Sequence, residues 1–110
     1  INPSEIRTPK LTQTSLESIK KNIEKFNKNA IEIIENSDIY EYNLKSDKDT
    51  DKKMIGFIIG ENYRTPNEVI SKGGQAIGIY SMAGILWKAI QEQQQEIEDL
   101  KNKLKEVTNG

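Results

Sequence analysis

The chain has 110 residues, of which 30% are charged and 35% hydrophobic, and its formal net charge is −1. Basic and acidic residues alternate, and no apolar run approaches the ~20 residues of a membrane span, so we expect neither a nucleic-acid nor a membrane partner. Cysteine and histidine are absent, which excludes disulfides, the usual zinc sites and imidazole catalysis, and we expect no metal or cofactor.

The first segment, residues 1–14, holds two prolines and no sustained apolar period, which indicates an extended lead-in from an upstream domain. Because Ile1 is not an initiating residue, we expect the chain to continue a longer protein. From Leu16 onward, apolar residues recur at alternating steps of three and four as far as Ile33, which predicts a helix. Thr14 and Glu17 have the spacing of a capping box at its start.

The middle of the chain predicts a small antiparallel sheet. Residues 38–59 read as a β-hairpin in which Tyr40 and Tyr42 make core and cross-strand contacts, with the charged segment "SDKDTDK" at its tip. The segment "TPNEVIS" predicts a short helix capped by Thr65. The "KGGQAIG" that follows predicts a turn, because the spacing of a phosphate-binding loop is absent.

The last segment predicts one long helix over residues 81–107. Its apolar seam keeps one heptad phase to the end, with polar or charged residues almost everywhere else beyond Gln91. The seam is formed by Leu86, Ile90, Gln93, Ile97, Leu100, Leu104 and Val107. Such a narrow strip needs another helix, either from the first helix of the same chain or from other copies, and periodicity alone does not give the number of copies. The fold class expected is α+β.

Three short motifs stand out in the second half of the chain: "GFIIGE" from Gly56 to Glu61, the pair Tyr80 and Ser81, and "KAIQEQ" from Lys88 to Gln93. In order and spacing they resemble the C-terminal intramolecular chaperone domain of phage endosialidases and tail fibres. Ile59 and Gly60 stand where the family has Ala-Gln, and Ile79 replaces an acidic residue. The similarity extends over about residues 15–107 and is greatest to the branch found in tail proteins of phages and prophages of Gram-positive bacteria.

The resemblance implies a chaperone domain over residues 15–110, with a globular part to about residue 80 and a coiled-coil helix thereafter. Its partners would be two further copies, in a homotrimer, and the upstream fibre domain of the same chain. The trimer would register the folding of that fibre in the host bacterial cytoplasm, and would stay in the virion tail where it is not cut off. No nucleotide or metal requirement follows from these residues.

The resemblance also implies a candidate catalytic pair, Ser15 as nucleophile and Lys20 as its base, cutting the bond between Thr14 and Ser15. Leu16 and Ser18 replace the aspartate and arginine of the family's "S-D-x-R-x-K" pattern. A lysine acts as such a base only when burial lowers its pKa toward neutrality. Residues five apart on a regular helix differ by about 140°, so either Ser15 is not helical or the lysine comes from another chain.

Three functions therefore stay open: a self-releasing chaperone, a permanent trimerisation module without cleavage, and a coiled-coil adaptor or receptor-binding tip. Ser15 and Lys20 favour the first, whereas Leu16 and Ser18 favour the second.

Two other residues have both a structural and a functional interpretation. Glu61, after the second strand, is expected to be a surface or capping residue, and Trp87 is expected to pack against the globular part.

Overall fold

The computed structural model describes residues 13–109, and the prediction of an extended lead-in over residues 1–12 lies outside them. The described chain contains two α-helices, α1 (Ala30–Glu35) and α2 (Ile79–Asn109), and two strands, β1 (Tyr40–Tyr42) and β2 (Met54–Gly56). Two 3₁₀ turns, Glu17–Ile19 and Asn67–Val69, precede α1 and α2. A small antiparallel sheet followed by a long C-terminal helix confirms the α+β class.

The predicted hairpin is confirmed, with shorter strands than the alternation indicated. β1 and β2 pair antiparallel, with Tyr40 opposite Gly56 and Tyr42 opposite Met54. The loop between them is closed by its own aspartates, because the Asp47 carboxylate accepts the Leu44 amide at 2.8 Å. Tyr40 makes an edge-to-face contact with Tyr63, with 5.2 Å between ring centroids, which fixes the hairpin against the chain that follows.

The helical turn after Pro66 and the turn at "KGGQAIG" are both present. Thr65 does not cap the helical turn as predicted, because its hydroxyl donates to the Ile58 carbonyl at 2.5 Å. In the glycine-containing turn, the Ser71 amide donates to the Ala76 carbonyl at 2.7 Å. Gly74 has a φ of 80°, a left-handed conformation that glycine adopts at little cost.

The core lies where α1 and the second 3₁₀ turn meet the first half of α2. Its buried side chains are Ala30, Val69, Ile85 and Ala89. Small residues at Ala30 and Ala89 allow α1 to approach α2 closely, and Phe57 packs at the edge of this cluster. The core therefore uses only the first three turns of α2, which spans about 46 Å in all.

The prediction of a long first helix from Leu16 to Ile33 is wrong. Only the 3₁₀ turn and the six residues of α1 are helical, and we call residues 13–29, which are largely non-helical and exposed, the arm. The physical reason lies at the start of α1. The Asn29 side chain accepts a hydrogen bond from the Glu32 amide at 3.0 Å. The Glu92 carboxylate accepts hydrogen bonds from the Ala30 and Ile31 amides. These bonds end the helix at its N-terminal side. The prediction of a capping box at Thr14 is also wrong, because the 3₁₀ turn Glu17–Ile19 has no side-chain cap.

Candidate functional site

Ser15 and Lys20 meet within one chain. The Lys20 Nζ atom lies 2.5 Å from the Ser15 Oγ atom and donates a hydrogen bond to it. The contact forms because Leu16 and Lys20 have extended backbones on either side of the 3₁₀ turn Glu17–Ile19. The turn folds the chain back within five residues, which a regular α-helix does not do for this pair. The lysine of another chain is thus not needed to reach Ser15.

The surroundings of this pair are open. Ser15 and Lys20 are both exposed, and the Leu16 and Ile19 side chains between them are each 64% exposed. In the observed hydrogen bond the lysine is the donor, so for base catalysis it would first have to lose a proton and then accept that of the serine hydroxyl. The geometry brings nucleophile and base together, but a single chain provides no shield from water.

A polar cluster joins the root of the arm to α2. Glu92 accepts the Ala30 amide at 2.8 Å and the Ile31 amide at 3.0 Å, and its other neighbour, the Lys88 ammonium, lies 2.6 Å away. The same ammonium donates to the Lys28 carbonyl at 2.7 Å. Lys28 in turn pairs with Glu68 of the second 3₁₀ turn at 2.9 Å. We call Lys28, Glu68, Lys88 and Glu92 the root cluster.

Hydrogen bonds set the charge state of this cluster. The hydrogen bond from Lys88, followed by those from the Ala30 and Ile31 amides, lowers the pKa of the Glu92 carboxyl to about 2. The hydrogen bond from Lys28 lowers the pKa of the Glu68 carboxyl. Both carboxylates are therefore ionised at neutral pH and act as fixed acceptors.

The predicted seam of α2 forms a separate apolar face. At about 100° per residue, the seam lies about a quarter turn around the helix from Ile85 and Ala89, which face the core. Ile97 is 45% exposed and Leu104 is 64% exposed, and no described residue of the same chain covers this face along the distal half of α2. The intrachain pairing with a long first helix is thus not found, because α1 reaches only the proximal half.

A second open apolar surface adjoins the seam. A groove of about 290 Å³ lies between α1, the chain near β2 and the proximal half of α2. Its apolar lining includes Ile34, Ile39, Phe57, Met82 and Leu86, and Leu86 is also the first residue of the predicted seam. The seam is therefore the distal continuation of a wider apolar region.

Other predicted candidates take no part in the contacts described above. Glu61 lies exposed in the turn after β2. Trp87 does not pack against the globular part as predicted, since it is 72% exposed and lies on the side of α2 opposite Ile85 and Ala89. Among residues 13–109 there is no group of three or more acidic side chains that could hold a metal ion, and no described helix is long and apolar enough to cross a membrane.

Sequence reasoning missed the root cluster. Two local signals for it exist: the i,i+4 spacing of Lys88 and Glu92, and Asn29 three residues before Glu32 at the start of an apolar run. Neither signal predicts that the start of α1 contacts Glu92, because Ala30 and Glu92 are 62 residues apart in the chain.

Comparison with known proteins concerns the first half of the described chain. No curated protein and no solved structure matches this chain. A family model does match, over the part that contains Lys20, the arm from Glu17 onward, α1 and the hairpin, and that begins after Ser15. Residues 17–61 match the family described as the chaperone of endosialidase, which supports that domain family, and a chaperone role, for this chain.

Proposed function

We propose that this chain is a C-terminal intramolecular chaperone that forms a homotrimer and registers the folding of an upstream fibre domain in a phage tail protein. It would act in the host bacterial cytoplasm during assembly, and would remain in the virion tail if it is not released. The observation that carries the proposal is the uncovered apolar seam along the distal half of α2, together with the family match over residues 17–61.

The exposed area of the chain supports association with other copies. The chain exposes 10210 Å², whereas a compact monomer of 12.5 kDa exposes about 6,200 Å². Burial of part of this excess against other copies would be enough for an obligate interface. Its radius of gyration of 19.6 Å likewise exceeds the roughly 13 Å of a compact domain of this length.

A terminal trimer would help an intertwined fibre by bringing three chains together in register. Chains that must wind around one another lose much conformational entropy when they meet, and a preformed trimer raises their effective concentration. A seam in one heptad phase also allows few alternative registers, because a shift of one residue would take its apolar residues out of the interface.

A substitution in the seam tests association. In Leu104→Lys, each copy would place a charge in the apolar interface, so we expect the oligomer to dissociate in sedimentation velocity. Asn102→Lys adds the same charge to the side of α2 opposite the seam and should leave the oligomer intact. Equal sedimentation of Leu104→Lys and the unsubstituted chain would contradict association through this seam.

The Ser15 and Lys20 pair supports release by self-cleavage as a second step. The Ser15 oxygen would attack the Thr14 carbonyl carbon, Lys20 would take the hydroxyl proton, and the C–N bond would break as the Ser15 nitrogen receives a proton. Water would then hydrolyse the resulting ester, leaving a Thr14 carboxylate and a new N-terminus at Ser15. Because the pair is exposed in one chain, the necessary shielding would come from neighbouring copies or from the upstream domain.

Intact mass of the protein with its upstream segment distinguishes release from permanent attachment. A fragment that begins at Ser15, and that disappears in Ser15→Ala, would support cleavage at this bond. A stable full-length chain would instead support a trimerisation module that never cuts, which the replacements at Leu16 and Ser18 favour. A coiled-coil adaptor or receptor-binding tip is a third candidate, and none of the contacts described above favours it.

A further inference from the structure

We propose that the Glu92 carboxylate holds the arm in its unwound form, and that Glu92 is thereby a positioning residue for Ser15 and Lys20. It does so by occupying the two backbone amides through which α1 would have to continue into the arm. The role toward Ser15 and Lys20 rests on the proposed function, whereas the effect on the arm does not.

Two hydrogen-bond arrangements compete at the start of α1. In a helix running from the arm into α1, the Ala30 amide would donate to the Phe26 carbonyl and the Ile31 amide to the Asn27 carbonyl. In the structure both amides donate to Glu92, at 2.8 and 3.0 Å. Each amide has one hydrogen to donate, so the two arrangements exclude each other.

Glu92 is itself held in place. Lys88, one turn earlier on α2, lies 2.6 Å from the Glu92 carboxylate and also donates to the Lys28 carbonyl. The Lys88 ammonium additionally lies 5.9 Å from the centroid of the Phe26 ring. The last residues of the arm are thus fixed against α2 by side chains that α2 provides.

The arm has the pattern needed to wind. Residues 13–29 contain neither glycine nor proline, and Leu16, Ile19 and Ile23 would lie along one face of a helix although each is now 64% exposed. Within the described residues, Asn22 is the non-glycine residue with positive φ, at 55°. The unwound form therefore has three features: the left-handed residue at position 22, the Asn29 side chain that accepts the Glu32 amide, and the Glu92 carboxylate, which alone occupies two amides.

Winding would separate the candidate catalytic pair. The 2.5 Å contact between Lys20 Nζ and Ser15 Oγ requires the short 3₁₀ turn with extended residues on both sides. In a continuous helix the two side chains would point about 140° apart. By keeping the arm from winding, Glu92 keeps the two groups within hydrogen-bond distance.

The first test removes the acceptor and follows the backbone of the arm. In Glu92→Ala, backbone carbon chemical shifts of residues 15–29 should move to helical values, a gain of about fifteen helical residues per chain. Glu96→Ala, one turn further along α2 and without a side-chain hydrogen bond in the structure, should leave these shifts unchanged. Unchanged shifts of the arm in Glu92→Ala while α1 stays helical would overturn the proposal.

A second set of variants separates winding from loss of stability. Asn22→Ala alone should leave the arm unwound because Glu92 still occupies both amides, whereas Asn22→Ala with Glu92→Ala should wind it at least as fully as Glu92→Ala alone. If Asn22→Ala alone winds the arm, Glu92 is not what holds it. Val69→Ala, which weakens the core without touching these amides, should destabilise the chain with no helical gain, and a gain there would equally overturn the proposal.

A third measurement concerns Ser15 and Lys20 directly. The nuclear Overhauser effect between the Lys20 ε-protons and the Ser15 β-protons should be present in the unsubstituted chain and in Glu96→Ala, and should be lost in Glu92→Ala. Its persistence in a chain whose arm has wound would overturn the positioning role. A monomeric chain would refute the proposed function, and a trimer that never cleaves itself would refute only the release step; neither result would change the response of the arm to Glu92.

Discussion

The arm and the distal half of α2 both carry apolar residues at alternating steps of three and four, yet only α2 is helical. Distal α2 consists largely of Glu, Gln, Lys and Leu, which are strong helix formers, and side-chain bonds such as Gln94 to Glu98 at 2.9 Å support it locally. The arm contains Asn22, Asn27 and Asn29, which favour caps and left-handed backbone. Its continuation into α1 is also blocked by Glu92.

The comparison shows that apolar residues at helical spacing come to lie on one surface only where the backbone is able to form the helix. In α2 nothing competes for the backbone amides, so the period becomes a seam. In the arm a carboxylate distant in sequence takes the critical amides, so the apolar residues stay exposed on a chain that a short turn folds back on itself. The arm and distal α2 both leave apolar side chains exposed, so other copies or the upstream domain could cover each of them.

The largest expected effect on folding comes from the proximal half of α2, where α2 and α1 share a core. Ile85→Ala removes a buried side chain and should lower the free energy of unfolding by about 3 kcal/mol, measured by chemical denaturation at fixed chain concentration. Gln91→Ala, at an exposed position on the same helix, is the matched control and should change it by less than about 0.5 kcal/mol. Equal effects would mean that the core does not hold α1 to α2.

A pH-dependent effect tests the contact that makes the arm different from α2. Because hydrogen bonds lower the pKa of Glu92 from 4.5 to about 2, the folded state is stabilised by this group above pH 4.5 and loses that contribution as the pH falls toward 2. Thermal unfolding should therefore show a steep decrease in stability over this range.

Glu92→Gln should make that decrease shallower, and the part that remains should come from Glu68, whose pKa is also lowered. Glu96→Gln serves as the control, since it changes the same charge on an exposed part of α2. A decrease of the same steepness in Glu92→Gln and in the unsubstituted chain would show that the Glu92 contacts contribute nothing to stability.

The smallest expected effect concerns the outer part of the root cluster. Lys28 and Glu68 are 2.9 Å apart, but the Lys28 side chain is 62% exposed, so Lys28→Ala should cost about 0.5 kcal/mol or less. High salt should reduce the difference further. A cost as large as that of Ile85→Ala would mean that this pair, and not the Glu92 contacts, fixes the root of the arm.

Much of the fold was predictable from local signals. The hairpin follows from alternation around Tyr40 and Tyr42, and α2 follows from an uninterrupted period of strong helix formers. The arm was not predictable in this way, because its structure depends on Glu92 and on one left-handed asparagine. The spacing of Ser15 and Lys20 argued against an intrachain contact on a helix, and the 3₁₀ turn between them removes that objection. Their catalytic role stays a prediction.

The measurement that tests the account most directly is the molar mass of the unsubstituted chain in solution, by light scattering over a range of concentrations. The proposed homotrimer predicts a mass three times that of the 12.5 kDa chain. A monomer at every concentration would contradict the account, because the exposed seam would then have no copy of itself to cover it.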